Sequence, residues 1–153
     1  MRRKDRETKD IDSILKRTRV LRLALREGEG VYIVPLHFGY EHEGDTYTFW
    51  MHSASEGHKL DLIRENCKAC IEIDTDEKLI LTEKACECGA LFSSVIARGY
   101  ISISESTEEK MKGLSVLMEH QSGRPYVITE GMCEGVTVLK FTAGEISAKA
   151  RTI

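Results

Sequence analysis

The chain has 153 residues, 41% of them hydrophobic and 31% charged, with a formal net charge of -3. That size suits a single domain over residues 1–153 with a core that needs no covalent staples. The slight negative charge offers no broad field to nucleic acid, and no apolar run approaches the roughly 18 residues of a membrane span, so neither is an expected partner.

The cysteine count is five, an odd number. With no apolar core of an export signal near the start, a reducing cytoplasm is the expected location. The basic run Met1-Arg2-Arg3-Lys4-Asp5-Arg6 is interrupted by acids and reads as a solvated lead into a helix. Asp10 can cap that helix, in which Ile11, Ile14, Leu15 and Thr18 share a face. Residues 20–25 read as a strand with Arg22 facing outward. Glu27-Gly28-Glu29-Gly30 is a turn, and residues 31–40 form a second strand. Pro35 cannot donate to a ladder, so it marks an edge, a bulge or a break there. A polar turn at residues 41–45 leads to a third strand at 46–51, completing an antiparallel meander.

The segment Met51-His52-Ser53-Ala54-Ser55-Glu56-Gly57-His58-Lys59 then joins a strand end to a helix start, where Leu60, Ile63 and Arg64 fall at helical spacing. The first amides of a helix lack partners in the chain and carry partial positive charge. Clustered hydroxyls, imidazoles and one ammonium at such a place suit a phosphate; the bland reading is a polar loop with an ordinary cap. Residues 68–74 and 78–84 read as two further strands, and 92–104 as a long one with a bend or bulge at Gly99. Ser106-Thr107-Glu108-Glu109 has capping-box spacing. It opens a helix with a core-packing stripe of Met111, Leu114, Leu117 and Met118, followed by a loop at 121–124. Residues 136–141 form a strand, and 144–150 can add another. Antiparallel strands with inserted helices predict a mainly β (α+β) β-barrel with peripheral helices.

Four ordered motifs stand out: Arg2-Arg3-Lys4-Asp5-Arg6, Pro35-Leu36-His37-Phe38-Gly39-Tyr40, the segment from His52 to Lys59, and Ser94-Val95-Ile96-Ala97-Arg98-Gly99. On these motifs the chain resembles the pyridoxamine-5'-phosphate-oxidase-like flavoproteins, and among them the group associated with nitroimidazole resistance. The resemblance implies a split β-barrel, FMN as cofactor, and a homodimer with two flavins at the subunit interface. It implies that the strand with Val34, Pro35, Leu36 and Phe38 lies along the flavin ring, its backbone meeting the ring's polar edge. The phosphate falls to His52, Ser53, Ala54, His58 and Lys59, while Ser93, Ser94 and Val95 approach from the long strand, with a contact across the interface as one route. For Phe38, core packing and ring contact both remain open; His37 reads as a solvent-facing strand residue.

The expected activity is electron transfer from a small-molecule donor through FMN to a small acceptor, nitroaromatics being one class, with no catalytic side chain identified. Two other readings stand beside it. One is a non-catalytic protein binding flavin, haem or a related ligand. The other is a zinc-stabilised module built on Cys67, Cys70, Cys86 and Cys88, although Cys67-Lys68-Ala69-Cys70 lacks the Gly or Pro of a tight ligand turn.

Overall fold

The computed structural model describes residues 7–152; the opening motif at residues 2–6 lies outside the described residues. The chain forms β1 (Glu7–Thr8), α1 (Ile11–Lys16), β2 (Val20–Glu27), β3 (Gly30–His37), β4 (Gly39–Glu43) and β5 (Thr46–Ser53). It continues through α2 (His58–Glu65), β6 (Lys68–Ile80), β7 (Gly89–Ile103), α3 (Thr107–Ser122) and β8 (Thr137–Arg151). One antiparallel sheet runs β3-β2-β6-β7-β8-β5-β4, with β1 added beside β8.

The expected second strand is two strands. β3 and β4 lie at opposite ends of the sheet order, yet only Phe38 separates them in the chain. A one-residue link forces the two edges of the sheet to meet there, so the sheet curls into a barrel that closes at this corner. Away from the corner β3 keeps a free edge, and the barrel is split. Pro35 lies on that edge strand, where a missing N–H costs no ladder bond.

Alternation decides which side chains fill the barrel. Leu21, Leu23 and Leu25 point in from β2, and Ile71 and Ile73 from β6. Phe49 and Met51 point in from β5, and Val95, Ala97 and Ile101 from β7. Arg22 faces out and pairs with Asp74 at 2.6 Å.

Two pairs of expected strands fuse. Residues 68–74 and 78–80 are one strand, β6, interrupted by an irregularity between Thr75 and Lys78, where Asp76 has φ 62°. The last two expected strands are the single β8. Its register slips opposite Arg98 and Gly99, with Gly144 as the extra residue. A Cβ on Gly99 would lie 2.0 Å from the Thr142 carbonyl oxygen, so the bulge at this position requires glycine.

α3 crosses the outer face of β4, β5 and β8. Glycine allows the approach at two points. A Cβ on Gly39 would lie 2.6 Å from Leu117 Cα, and one on Gly113 would lie 2.5 Å from Trp50 Cε3. Ser106 caps α3 by accepting the Glu109 N–H at 3.1 Å, while the Glu109 carboxylate turns instead to the Ser104 hydroxyl. The helix absorbs Gln121 and ends at Gly123, with φ 78°.

α1 is tied to the β4–β5 hairpin by one carboxylate. Asp12 accepts from the Tyr40 and Tyr47 hydroxyls, each at 3.1 Å, and from His42 Nδ1 at 2.8 Å. Burial alone would raise the Asp12 pKa, but these hydrogen bonds and the His42 charge outweigh it and hold it below its ordinary value. Burial, with Asp12 nearby, pushes the Tyr47 phenol up to about 12. A depressed carboxylate contributes stability that is present above its unfolded value and lost as pH falls through the folded one. Wild type should therefore lose stability relative to Asp12→Asn as pH drops below about 4. Urea midpoints for both proteins from pH 7 to pH 3 measure this, and a gap independent of pH would refute it.

Candidate functional site

The loop after β5 sits where the split opens. α2 forms because Leu60, Leu62 and Ile63 bury one face of it. Gly57 stands at its N-cap with φ 148°, a conformation that favours glycine, and no side chain caps the helix. The Leu60 and Asp61 amides bond to the Gly57 carbonyl at 3.1 and 3.3 Å. The His58 and Lys59 amides precede the intrahelical ladder and point away from it. Lys59 is half-buried, and its ammonium makes no ion pair among the described residues. Ser53 is 8% exposed, and its Oγ has no hydrogen-bond partner among the described residues. His52 and Ala54 are exposed on either side of it. This stretch thus collects unsatisfied donors and one unpaired cation.

His58 has a different task from its neighbours. Its Nε2 lies 2.7 Å from Glu27 Oε1, and its ring meets Tyr32 edge-on at a centroid distance of 4.9 Å. It ties the loop to the β2–β3 turn and so holds the loop beside the free edge of β3.

On β3 itself the side chains divide by parity. Tyr32, Val34 and Leu36 pack against the core, while Val31, Ile33, Pro35 and His37 face outward. A ligand along this strand can meet the Pro35 side chain, whereas the side chains of Val34 and Leu36 face away from it. Phe38 is fully buried against Phe49 and His120. Its side chain is part of the core rather than of any ligand wall, because the crossover turns it inward.

The third expected segment does not join the others within one chain. β7 is separated from β3 by β2 and β6. Ser93 is fully buried and takes a 3.3 Å hydrogen bond from Arg17 Nη2, which also grips Asp76 at 2.6 Å. Val95 is core. Of the three, only Ser94 lies on the outer face, opposite Asp74 and Lys149.

Register assembles something that local sequence patterns do not reveal. One row across the outer face runs Ile33–Ala24–Cys70–Arg98; beside it Arg26 pairs with Val31 and Lys68 with Tyr100. Along them lies a cavity of about 580 Å³ that also touches Gly99 and Glu145. Its basic side chains come from three separate strands, and only the ladder brings them together.

The cysteines do not gather. Cys70 lines that cavity, whereas Cys67 is exposed just before β6 and is not among the cavity's lining residues. Cys88 accepts the Thr82 N–H at 3.4 Å beside a short helical turn at Ala85–Glu87. Cys133 is buried elsewhere. Among the described residues no three metal-ligating side chains meet. Prolonged chelation should leave the thermal midpoint unchanged; unfolding with one zinc released per chain would instead favour the four-cysteine module.

Comparison with known proteins places this geometry in context. No curated protein matches the chain. Among solved structures, a candidate 5-nitroimidazole antibiotic resistance protein from Bacteroides thetaiotaomicron aligns at TM-score 0.80 and 26% identity, over 94% of this chain and 86% of that one. The flavocytochrome Anf3 from Azotobacter vinelandii aligns at TM-score 0.78 and 20% identity, over 100% and 72%. An FAD and heme binding protein from Mycobacterium smegmatis aligns at TM-score 0.77 and 15% identity, over 97% and 74%. The last two show a shared fold. The family model described as pyridoxamine 5'-phosphate oxidase matches residues 7–150. That match spans nearly the whole chain, and with the split antiparallel barrel it shows that the chain belongs to the pyridoxamine 5'-phosphate oxidase family.

Proposed function

We propose that this protein binds FMN in the split between the β3 edge and the β5–α2 loop and works as an oxidoreductase, passing electrons to a small acceptor such as a nitroaromatic compound. One observation carries the reading: the buried Ser53 Oγ without a partner stands beside an uncapped helix start and the unpaired Lys59. A phosphate satisfies all three. The α2 amides and the Ser53 hydroxyl would donate to it, and Lys59 would supply charge. The free backbone of β3 offers both N–H and C=O to the polar edge of a flavin ring, and Pro35 offers an apolar contact. FMN supplies the electron chemistry; the chain binds, orients and shields it. A non-catalytic flavin or haem carrier is the other reading, favoured by the flavocytochrome and the FAD and heme binding protein among its structural neighbours.

A homodimer fits the same site. Val31, Ile33, Ile96 and Tyr100, at 66%, 62%, 45% and 58% exposure, share the outer face of the sheet. Covering them with a second copy removes apolar surface from water. It also brings the partner's β7 toward the flavin, which gives Ser94 a route to the site that a single chain lacks.

FMN should bind more tightly than riboflavin. Lys59→Ala should weaken FMN by roughly ten- to a hundredfold, the worth of one charged hydrogen bond, while Lys68→Ala changes it little. Flavin fluorescence quenching, with FAD as a third titrant, reads this out. Equal affinity for FMN and riboflavin would remove the phosphate role of the loop. Turnover with a reductant and a nitroaromatic separates enzyme from carrier.

The dimer should persist on dilution. Light scattering at low concentration tests it, and a stable monomer that still binds FMN would defeat the shared site.

A further inference from the structure

His37 stands two residues after Pro35 on the same outward face of β3, and the flavin reading leaves it without a task. Its environment is specific. Gln121, in the last turn of α3, reaches the β3–β4 corner. Its Nε2 donates to the Phe38 carbonyl at 2.7 Å and to the Arg19 carbonyl at 2.8 Å. Carbonyl oxygens only accept, so the amide nitrogen must face them, and Oε1 must face His37 Nδ1, 3.1 Å away. Oε1 can only accept in its turn, so Nδ1 carries the hydrogen. The neutral ring then presents a bare Nε2 lone pair, and this atom has no hydrogen-bond partner among the described residues. That is the tautomer opposite to the one free imidazole side chains prefer. A surface histidine that merely touches solvent needs no such arrangement.

We propose that His37 selects the small-molecule acceptor by taking, at Nε2, a hydrogen bond from an N–H or O–H on the acceptor's ring, and that Gln121 positions it by holding its tautomer. This rests on the flavin reading, which puts a planar ligand along Pro35. A bare acceptor nitrogen beside it favours ring systems that carry a donor and disfavours the same ring with that donor methylated. The three bonds from Gln121 also stiffen the crossover, so the nitrogen is held where β3 ends.

Two measurements test it. Long-range nitrogen–proton correlation spectra of the full chain at neutral pH, without flavin, should show His37 protonated at Nδ1. His37→Phe assigns the signal, and Gln121→Leu should return the ring to the Nε2–H form. Should Gln121→Leu unfold the corner, the wild-type spectrum alone decides, because an Nε2–H tautomer there overturns the positioning role. The second measurement uses FMN-loaded protein with 2-methyl-5-nitroimidazole and 1,2-dimethyl-5-nitroimidazole, followed by perturbation of the flavin absorption. Wild type should prefer the N–H compound by about three- to tenfold, one neutral hydrogen bond. His37→Phe should bind FMN as wild type does and treat the two compounds alike. Equal binding of the two by wild type would overturn the recognition role while leaving the flavin reading intact. Failure of wild type to take up FMN would instead sink the flavin reading and this inference with it, and the tautomer would still report on Gln121.

Discussion

The crossover at Phe38 governs the rest of the molecule. A sheet whose first and last strands in spatial order are neighbours in sequence cannot lie flat. With one residue between β3 and β4, the two edges must converge, and every interior dimension of the barrel follows from that point. The corner is reinforced from both sides. Phe38 fills the inside, and outside Gly39 lets α3 approach until a methyl group would not fit. The Phe38 N–H donates to the Arg19 carbonyl at 3.3 Å, and the Gln121 amide donates to that carbonyl and to the Phe38 carbonyl. The Phe38 carbonyl is part-buried, and leaving such a group without a partner costs about 1–3 kcal/mol, so this amide stabilises the bend.

Because the edges meet at one end, they diverge at the other, and the candidate site occupies that divergence. Distance from the corner matters. Pro35 and His37 lie near the closed end, while Val31 and the β2–β3 turn lie near the open end, where His58 reaches Glu27. A flavin lying along β3 would have its phosphate at the open end and its ring toward the corner. Rigid ring and flexible chain would then match a stiff end and a looser one.

Sequence patterns located most elements and missed those that depend on long-range geometry. Periodicity found β2, β5, α2 and the start of α3, since each buries one face at a regular interval. It could not separate β3 from β4, because the break that Pro35 suggests falls elsewhere and no turn pattern stands at Phe38, which only the fold makes a corner. It split β6 and β8 where Asp76 and Gly144 introduce irregularities that the ladder simply absorbs. The loop at residues 52–59 could be singled out because its hydroxyls, imidazoles and ammonium lie in one contiguous stretch of the chain. The inward turn of Phe38, Ser93 and Val95 was not, since their parity is set by register with β2, β6 and β8. Gln121 carried no signal at all: its importance lies in atoms more than eighty residues away along the chain.

The free edge of β3 has one more consequence, for solubility. An exposed strand bearing Val31 and Ile33 is a template on which another extended chain can add, residue by residue, into an aggregate. Pro35 interrupts that template, because a proline facing the open side offers no donor to an incoming strand. A compact ligand needs only a few points of the edge and is unaffected, whereas a growing fibril needs all of them. Pro35 thus protects an edge that the sheet order itself leaves accessible.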